Sequence, residues 1–153
     1  MKLKIFNASL KPSQASNTQV LIDLVTKNMS SLGVTVDTVH LKDLNFEHTT
    51  DNVKDDLTPH LIDIVENCDM ISIATPIWWG VQSSLAQGLI ERLDPIDSWG
   101  QDNDYYALYN KVFGTIVSGG GDGFQHIHGN LFSMASNMGM TVPPTCNLEV
   151  ATQ

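Results

Sequence analysis

Five short apolar runs alternate with four stretches of helical period, and that alternation predicts an α/β protein built on a doubly wound parallel sheet. A second observation supports it. Polar, turn-rich loops follow the first, third and fourth runs, at residues 9–18, 75–80 and 118–123. Right-handed crossovers leave two doubly wound orders, and the one chosen here, 2-1-3-4-5, places those three loops side by side at one rim. The whole chain, residues 1–153, reads as a single domain with a sizeable core.

The first strand covers residues 2–8, with Leu3, Ile5 and Phe6 apolar. A helix follows over 17–31, marked by Val20, Leu21, Leu24 and Val25, and Gly33 is placed to end it. Residues 34–41 alternate and carry Val34, Val36 and Val39, so they read as the second strand. Residues 44–50 are loop. Thr58-Pro59 signals the second helix, although Asp55 and Asp56 already fit a first turn. That helix presents Leu61, Ile62, Ile64 and Val65. The run at 70–74 suits a strand buried on both faces, and an aromatic loop follows it. Ser83 and Ser84 cap the third helix, with Leu85, Leu89, Ile90 and Leu93. Residues 95–110 read as a long acidic and aromatic connection of the kind that shapes binding sites. The fourth strand covers 111–117. The fourth helix carries Ile127, Leu131, Met134, Ala135 and Met138 and closes at Gly139. A final strand lies within 141–150, interrupted by Pro143-Pro144.

Composition narrows the function classes. The net charge of −9 argues against nucleic acid and anionic membrane surfaces, both of which require clustered Lys and Arg. Cys68 and Cys146 stand apart with no C-x-x-C, which gives no basis for an iron–sulfur or structural zinc site, and no metal is expected. Free thiols fit a reducing compartment, and no leader or membrane-length apolar run precedes or interrupts the pattern, so the expected location is the cytoplasm. His126 and His128 are two apart, unlike the i, i+4 spacing of a helical metal pair. Surface or supporting roles suit them better. Arg92, the only arginine, is expected to pair near Glu91 or Asp94.

The three loops carry the chemistry. Residues 9–18 offer Ser9, Ser16, Asn17, Thr18 and one cation, Lys11, at the start of a helix. Hydroxyls and N–H groups at the positive end of a helix dipole hold an anion. The stretch has neither G-x-G-x-x-G nor G-x-x-x-x-G-K, and so suits a single phosphate already embedded in a cofactor. An ordinary βα loop ending in an N-cap would look similar. The second loop, Pro76, Ile77, Trp78, Trp79 and Gly80, offers two indoles as a flat wall, with packing in a core or interface as the alternative. The third, with Ser118, Gly119, Gly120 and Asp122, allows close backbone approach to a ring edge, or is a plain turn. A flavin mononucleotide has this anatomy: a planar ring, a polar edge and one phosphate.

The residues resemble those of the NADPH-dependent FMN reductase family. Ser9-Leu10-Lys11 with Ser16-Asn17-Thr18 is similar to its G-S-x-R…S-x-T phosphate loop. Residues 74–85, with Thr75-Pro76-Ile77-Trp78-Trp79-Gly80 and Ser83-Ser84, are similar to its T-P-x-Y-x-G-x-x-S-S isoalloxazine loop. The glycine run after Ser118 and Val142-Pro143-Pro144 match later segments. The resemblance implies a flavodoxin-like fold, noncovalent FMN, NADPH or NADH as hydride donor, a quinone, flavin or other small acceptor, and a homodimer or homotetramer. A flavodoxin-type electron carrier without NAD(P)H oxidation is the alternative. Hydride chemistry at a flavin requires no protein acid or base, so no catalytic residue is assigned. Asn7-Ala8 replaces a small residue or glycine, Lys11 replaces arginine, and Trp78 replaces tyrosine. Only 14 residues follow Gly139, so the terminal helix of the fold is expected to be missing or reduced.

Overall fold

The computed structural model describes residues 1–151. Its sheet contains β1 (Lys2–Asn7), β2 (Thr35–His40), β3 (Met70–Trp78), β4 (Val81–Gln82), β5 (Val112–Gly119) and β6 (Asn147–Ala151). The helices are α1 (Asn17–Ser31), α2 (Thr58–Glu66), α3 (Ser84–Asp102) and α4 (Phe124–Asn137). The strand order is β2-β1-β3-β5-β6, all parallel, with the two-residue β4 folded back on the end of β3. The expected 2-1-3-4-5 order is this one, with β4 left out of the count.

Alternation along each strand separates two cores. Phe6, Ile71, Ile73, Phe113 and Val117 face α2, α3 and α4, where they meet Leu61, Ile64, Leu89, Leu93, Ile127 and Leu131. Leu3, Ile5, Ala74 and Ile116 face the other side and pack on Leu21 and Ile22 of α1. Among the described residues, α1 alone covers that second face. Among the described residues no helix follows β6, and an apolar groove of about 470 Å³ runs beside α1, lined by residues such as Met29, Met70, Ile116 and Leu148.

Two expectations are corrected. The stretch 95–110 is not one long loop, because α3 continues through Pro95 to Asp102. Leu89, Arg92, Leu93 and Gly100 are buried at helical spacing. That continuous packed face outweighs the ~3 kcal/mol a proline costs inside a helix. The rest of the stretch lies at the amino ends of the strands, where Tyr106 packs against Gly139 and the Lys111 ammonium donates to the Cys68 carbonyl at 2.8 Å. It therefore sits at the rim opposite the three loops and shapes nothing there. Arg92 does not pair with Glu91 or Asp94. It is 3% exposed and donates from Nη1 to Asp55 Oδ2 at 2.7 Å. Asp55 in turn accepts the Leu57 and Thr58 N–H groups at the start of α2.

Candidate functional site

The carboxyl ends of β1, β3 and β5 bring the three loops to one rim. At the first, Ser16 caps α1, its Oγ accepting the Gln19 N–H at 3.2 Å. Ser16 Oγ–H also donates to Ser9 Oγ at 2.8 Å, and Lys11 N–H donates to the same oxygen at 3.2 Å. Asn17 and Thr18 open the helix, where backbone N–H groups have no intrahelical acceptor. Ser9, Ser16 and Thr18 are buried, while Lys11 is exposed and forms no ion pair among the described residues. Thr18 Oγ1 and Ser118 Oγ share a hydrogen bond of 2.8 Å, which ties the first loop to the third.

The second loop is a hairpin. Strand β3 runs on to Trp78, and Trp79 and Gly80 turn the chain with φ of 52° and 82°. Two residues in the left-handed region make the tight turn that suits strand twist, and glycine fills the second place without strain. Ser83 Oγ–H donates to the Ala8 carbonyl at 2.7 Å, and Ser83 N–H donates to Thr75 Oγ1 at 3.0 Å. Those bonds lock the hairpin base to the end of β1. The third loop presses on the hairpin. A Cβ on Gly119 would lie 2.7 Å from Ile77 Cβ, and one on Gly123 would lie 2.3 Å from the Gly80 carbonyl oxygen.

Between the loops lies a cleft of about 140 Å³. Ser9, Lys11, Ser16, Asn17 and Thr18 line one side, with Leu10. Pro76, Ile77 and Trp78 line the second, and Ser118 and Gly119 the third. Four expected residues lie outside the lining. Trp79 is 96% exposed at the hairpin tip with Gly80 beside it, and Gly120 and Asp122 are exposed on the outer loop. Larger hollows exist, the groove beside α1 and one of about 210 Å³ between α2 and α3, but neither gathers hydroxyls at a helix start. Among the described residues, the cleft lining has no carboxylate, imidazole or thiol. It can grip an anion and a flat apolar body, and any redox chemistry there comes from a bound group.

Three polar residues beneath the cleft stand outside the expected cofactor-binding set, although Thr75 and Ser83 lie in the isoalloxazine-loop motif and Ser83 caps α3 as expected. All three are buried: Asn7 bonds within the first loop, Thr75 within the second, and Ser83 ties the second loop to Ala8 at the start of the first. An asparagine two residues before a loop serine is an Asx-turn signal that points to the first of them. His126 is exposed. His128 is buried and remote from the cleft, with its ring 2.7 Å from Thr115 Oγ1 and 3.0 Å from Glu149 Oε2. Burial pushes the His128 pKa below the usual histidine value, and Glu149 opposes that shift only in part.

The sequence model that describes NADPH-dependent FMN reductases matches residues 1–153. This chain belongs to the NADPH-dependent FMN reductase family. Among curated proteins, it is 30% identical over 94% of its length to the 8-demethyl-8-aminoriboflavin-5'-phosphate synthase of Streptomyces davaonensis. It is 27% identical over 78% of its length to an iron-sulfur flavoprotein of Archaeoglobus fulgidus. The chain spans 61% and 60% of those two relatives. The crystal structure of RosB with bound intermediate 8-demethyl-8-formylriboflavin-5'-phosphate superposes with a TM-score of 0.86 at 28% identity, covering 99% of this chain and 65% of that one. An NADH:FMN oxidoreductase in its apo form shares the fold, with a TM-score of 0.74 at 18% identity, covering 97% of this chain and 75% of that one. An archaeal flavodoxin does so at 0.67 and 14%, covering 100% and 86%. This chain thus has a flavodoxin-like fold.

Proposed function

We propose that this chain binds FMN noncovalently in the cleft and acts as an FMN-dependent NAD(P)H oxidoreductase toward a quinone, flavin or other small acceptor. The observation that carries the reading is the convergence of a hydroxyl-rich helix start and an indole-bearing hairpin on one cleft, lined among the described residues by no carboxylate. In a chain of net charge −9, that local absence of negative charge favours an anion. When bound, FMN supplies the capacity to accept hydride from NADPH or NADH and hand it on.

The chain's own residues bind and orient. Ser9, Ser16 and Thr18 hydroxyls, the leading N–H groups at Asn17 and Thr18, and the Lys11 ammonium hold the phosphate. Pro76, Ile77 and Trp78 provide the flat wall. Ser118 and Gly119 bring backbone amides to the ring edge, and Trp79, Gly80, Gly120 and Asp122 form the outer rim. The bare indole of Trp79 also supports a homodimer or homotetramer that covers the rim, since an exposed tryptophan of this size gains most by being covered.

The test is equilibrium dialysis of the purified chain against FMN, followed by NADPH oxidation with a quinone present. One FMN retained per chain and quinone-dependent NADPH loss are expected. A chain that retains no FMN overturns the reading, and retention without NADPH oxidation restricts it to electron carriage.

A further inference from the structure

The loop over residues 9–18 has no apolar anchor of its own. Its single helical turn, Ser13–Ala15, contains no buried residue, and Leu10, Lys11 and Pro12 are exposed. Hydrophobic burial therefore does not set its shape. A closed circuit of hydrogen bonds does. Asn7 Oδ1 accepts the Ser9 N–H at 2.9 Å. Ser9 Oγ accepts from Ser16 Oγ at 2.8 Å, and Ser16 Oγ accepts the Gln19 N–H at 3.2 Å. Gln19 Oε1 accepts from Asn7 Nδ2 at 2.8 Å, which returns the circuit to its start. Asn7 joins the Ser9 backbone before the loop to the Gln19 side chain beyond it, alongside the direct Ser9–Ser16 bond, and it is 2% exposed at the end of β1. His40 Nδ1 on the neighbouring strand lies 3.4 Å from the same Nδ2 and helps fix the amide's orientation.

We infer that Asn7 is a positioning residue for phosphate recognition: its carboxamide presets the loop so that an incoming phosphate meets an ordered cradle. The inference rests on the FMN reading and deepens it, since Asn7 does not line the cleft itself. A donor and an acceptor on one planar amide hold the two ends of the loop at fixed separation. Removing either contact leaves the single Ser9–Ser16 bond to hold the two serines together, and the ligand then bears more of the cost of ordering them. The ring wall at Ile77 and Trp78 belongs to another loop and is untouched by Asn7. The effect therefore falls on the phosphate and not on the ring.

Riboflavin and FMN differ by that phosphate alone, so the ratio of their Kd values isolates it. The experiment measures both by flavin fluorescence for the wild-type chain, Asn7→Ala, Asn7→Asp and Gln19→Leu. Wild type is expected to prefer FMN. Asn7→Ala should lower that preference about tenfold, equivalent to ~1.4 kcal/mol, with riboflavin affinity unchanged. Gln19→Leu breaks the circuit from the partly exposed helix side without altering β1, and should lower it in the same sense. Asn7→Asp keeps the acceptor for Ser9 but loses the donor and adds a negative charge, so it should not rescue the preference. A ratio within twofold of wild type in both Asn7→Ala and Gln19→Leu overturns the inference. So does an equal loss of riboflavin and FMN, which marks a role in folding alone. Failure of the wild-type chain to bind either flavin overturns the FMN reading, and the inference with it.

Discussion

Replacing Gly123 by alanine drives a methyl group into the hairpin that carries Trp78. The added carbon would sit 2.3 Å from the Gly80 carbonyl oxygen and 2.7 Å from two further Gly80 backbone atoms. No side chain is available to swing aside, so one loop must move. Gly123 also has φ of +103°, where an L residue is strained. Strain costs roughly 1–3 kcal/mol, and overpacking costs roughly 1–3 kcal/mol more. The expected loss of stability is therefore about 2–6 kcal/mol, a large part of the ~5–15 kcal/mol typical of a folded domain. Gly121 separates the two contributions. Its φ is +98°, but nothing lies within 4 Å of an added Cβ. Gly121→Ala should show the strain alone, about 1–3 kcal/mol. Urea unfolding of both variants measures the difference from their midpoints at constant slope. FMN affinity should fall for Gly123→Ala beyond what Gly121→Ala shows, because the hairpin wall is displaced. A Gly123→Ala chain within 0.5 kcal/mol of wild type, or one no less stable than Gly121→Ala, refutes the claim that the two loops lock together.

Asp55→Asn leaves the Arg92 guanidinium buried without its carboxylate and should cost about 3–5 kcal/mol in thermal or urea unfolding at neutral pH. Burial alone would raise the Asp55 pKa, but the Glu47 N–H and the Arg92 guanidinium overcome that and hold it below the usual value. The stability it contributes is thus present above the ordinary carboxylate pKa, near 4, and is lost as pH falls through the lower folded value. A wild-type chain with no acid-sensitive component that Asp55→Asn removes would contradict this. His128 should titrate below about 6.5 in an NMR ring-proton experiment, because burial opposes its charge. Its folded pKa lies below the unfolded one, so stability is full above about 6.5 and declines as pH falls toward the folded value. Glu149→Gln removes the one carboxylate that favours the imidazolium and should move the titration lower still. A midpoint at or above that of a free histidine would sink the assignment.

What the sequence made legible was periodic and local. The β-branched alternation near Val36 and Val39 and the apolar stripe of α4 each declare themselves within about ten residues, whereas the stripe expected on α1 was misplaced: Val20 and Leu24 are exposed, and Leu21 and Ile22 are the buried pair. Handedness narrowed the strand order to two doubly wound candidates, and the three loops met where the chosen one put them. The failures were long-range or competitive. Pro95 reads as a breaker in any local window, and only the buried face formed by Leu89, Leu93 and Gly100 shows why α3 continues. The Arg92–Asp55 pair spans 37 positions, and no local spacing announces it. The Trp78–Val81 turn was hidden because its left-handed residues include a tryptophan, Trp79, with φ of 52°. Asn7 was noticed only as a departure from the family pattern. Its role became visible when Ser9, Ser16 and Gln19 were seen to close a circuit through it.

Fluorescence titration of FMN with the purified chain tests the central claim most directly. If the phosphate cradle and the indole wall serve one ligand, flavin emission should be quenched to a 1:1 end point, and Trp78→Ala should restore much of it while Ser16→Ala shifts the curve to weaker binding. Emission that stays constant through a large excess of protein would contradict the account. So would quenching indifferent to both substitutions, which would place the flavin on some other surface.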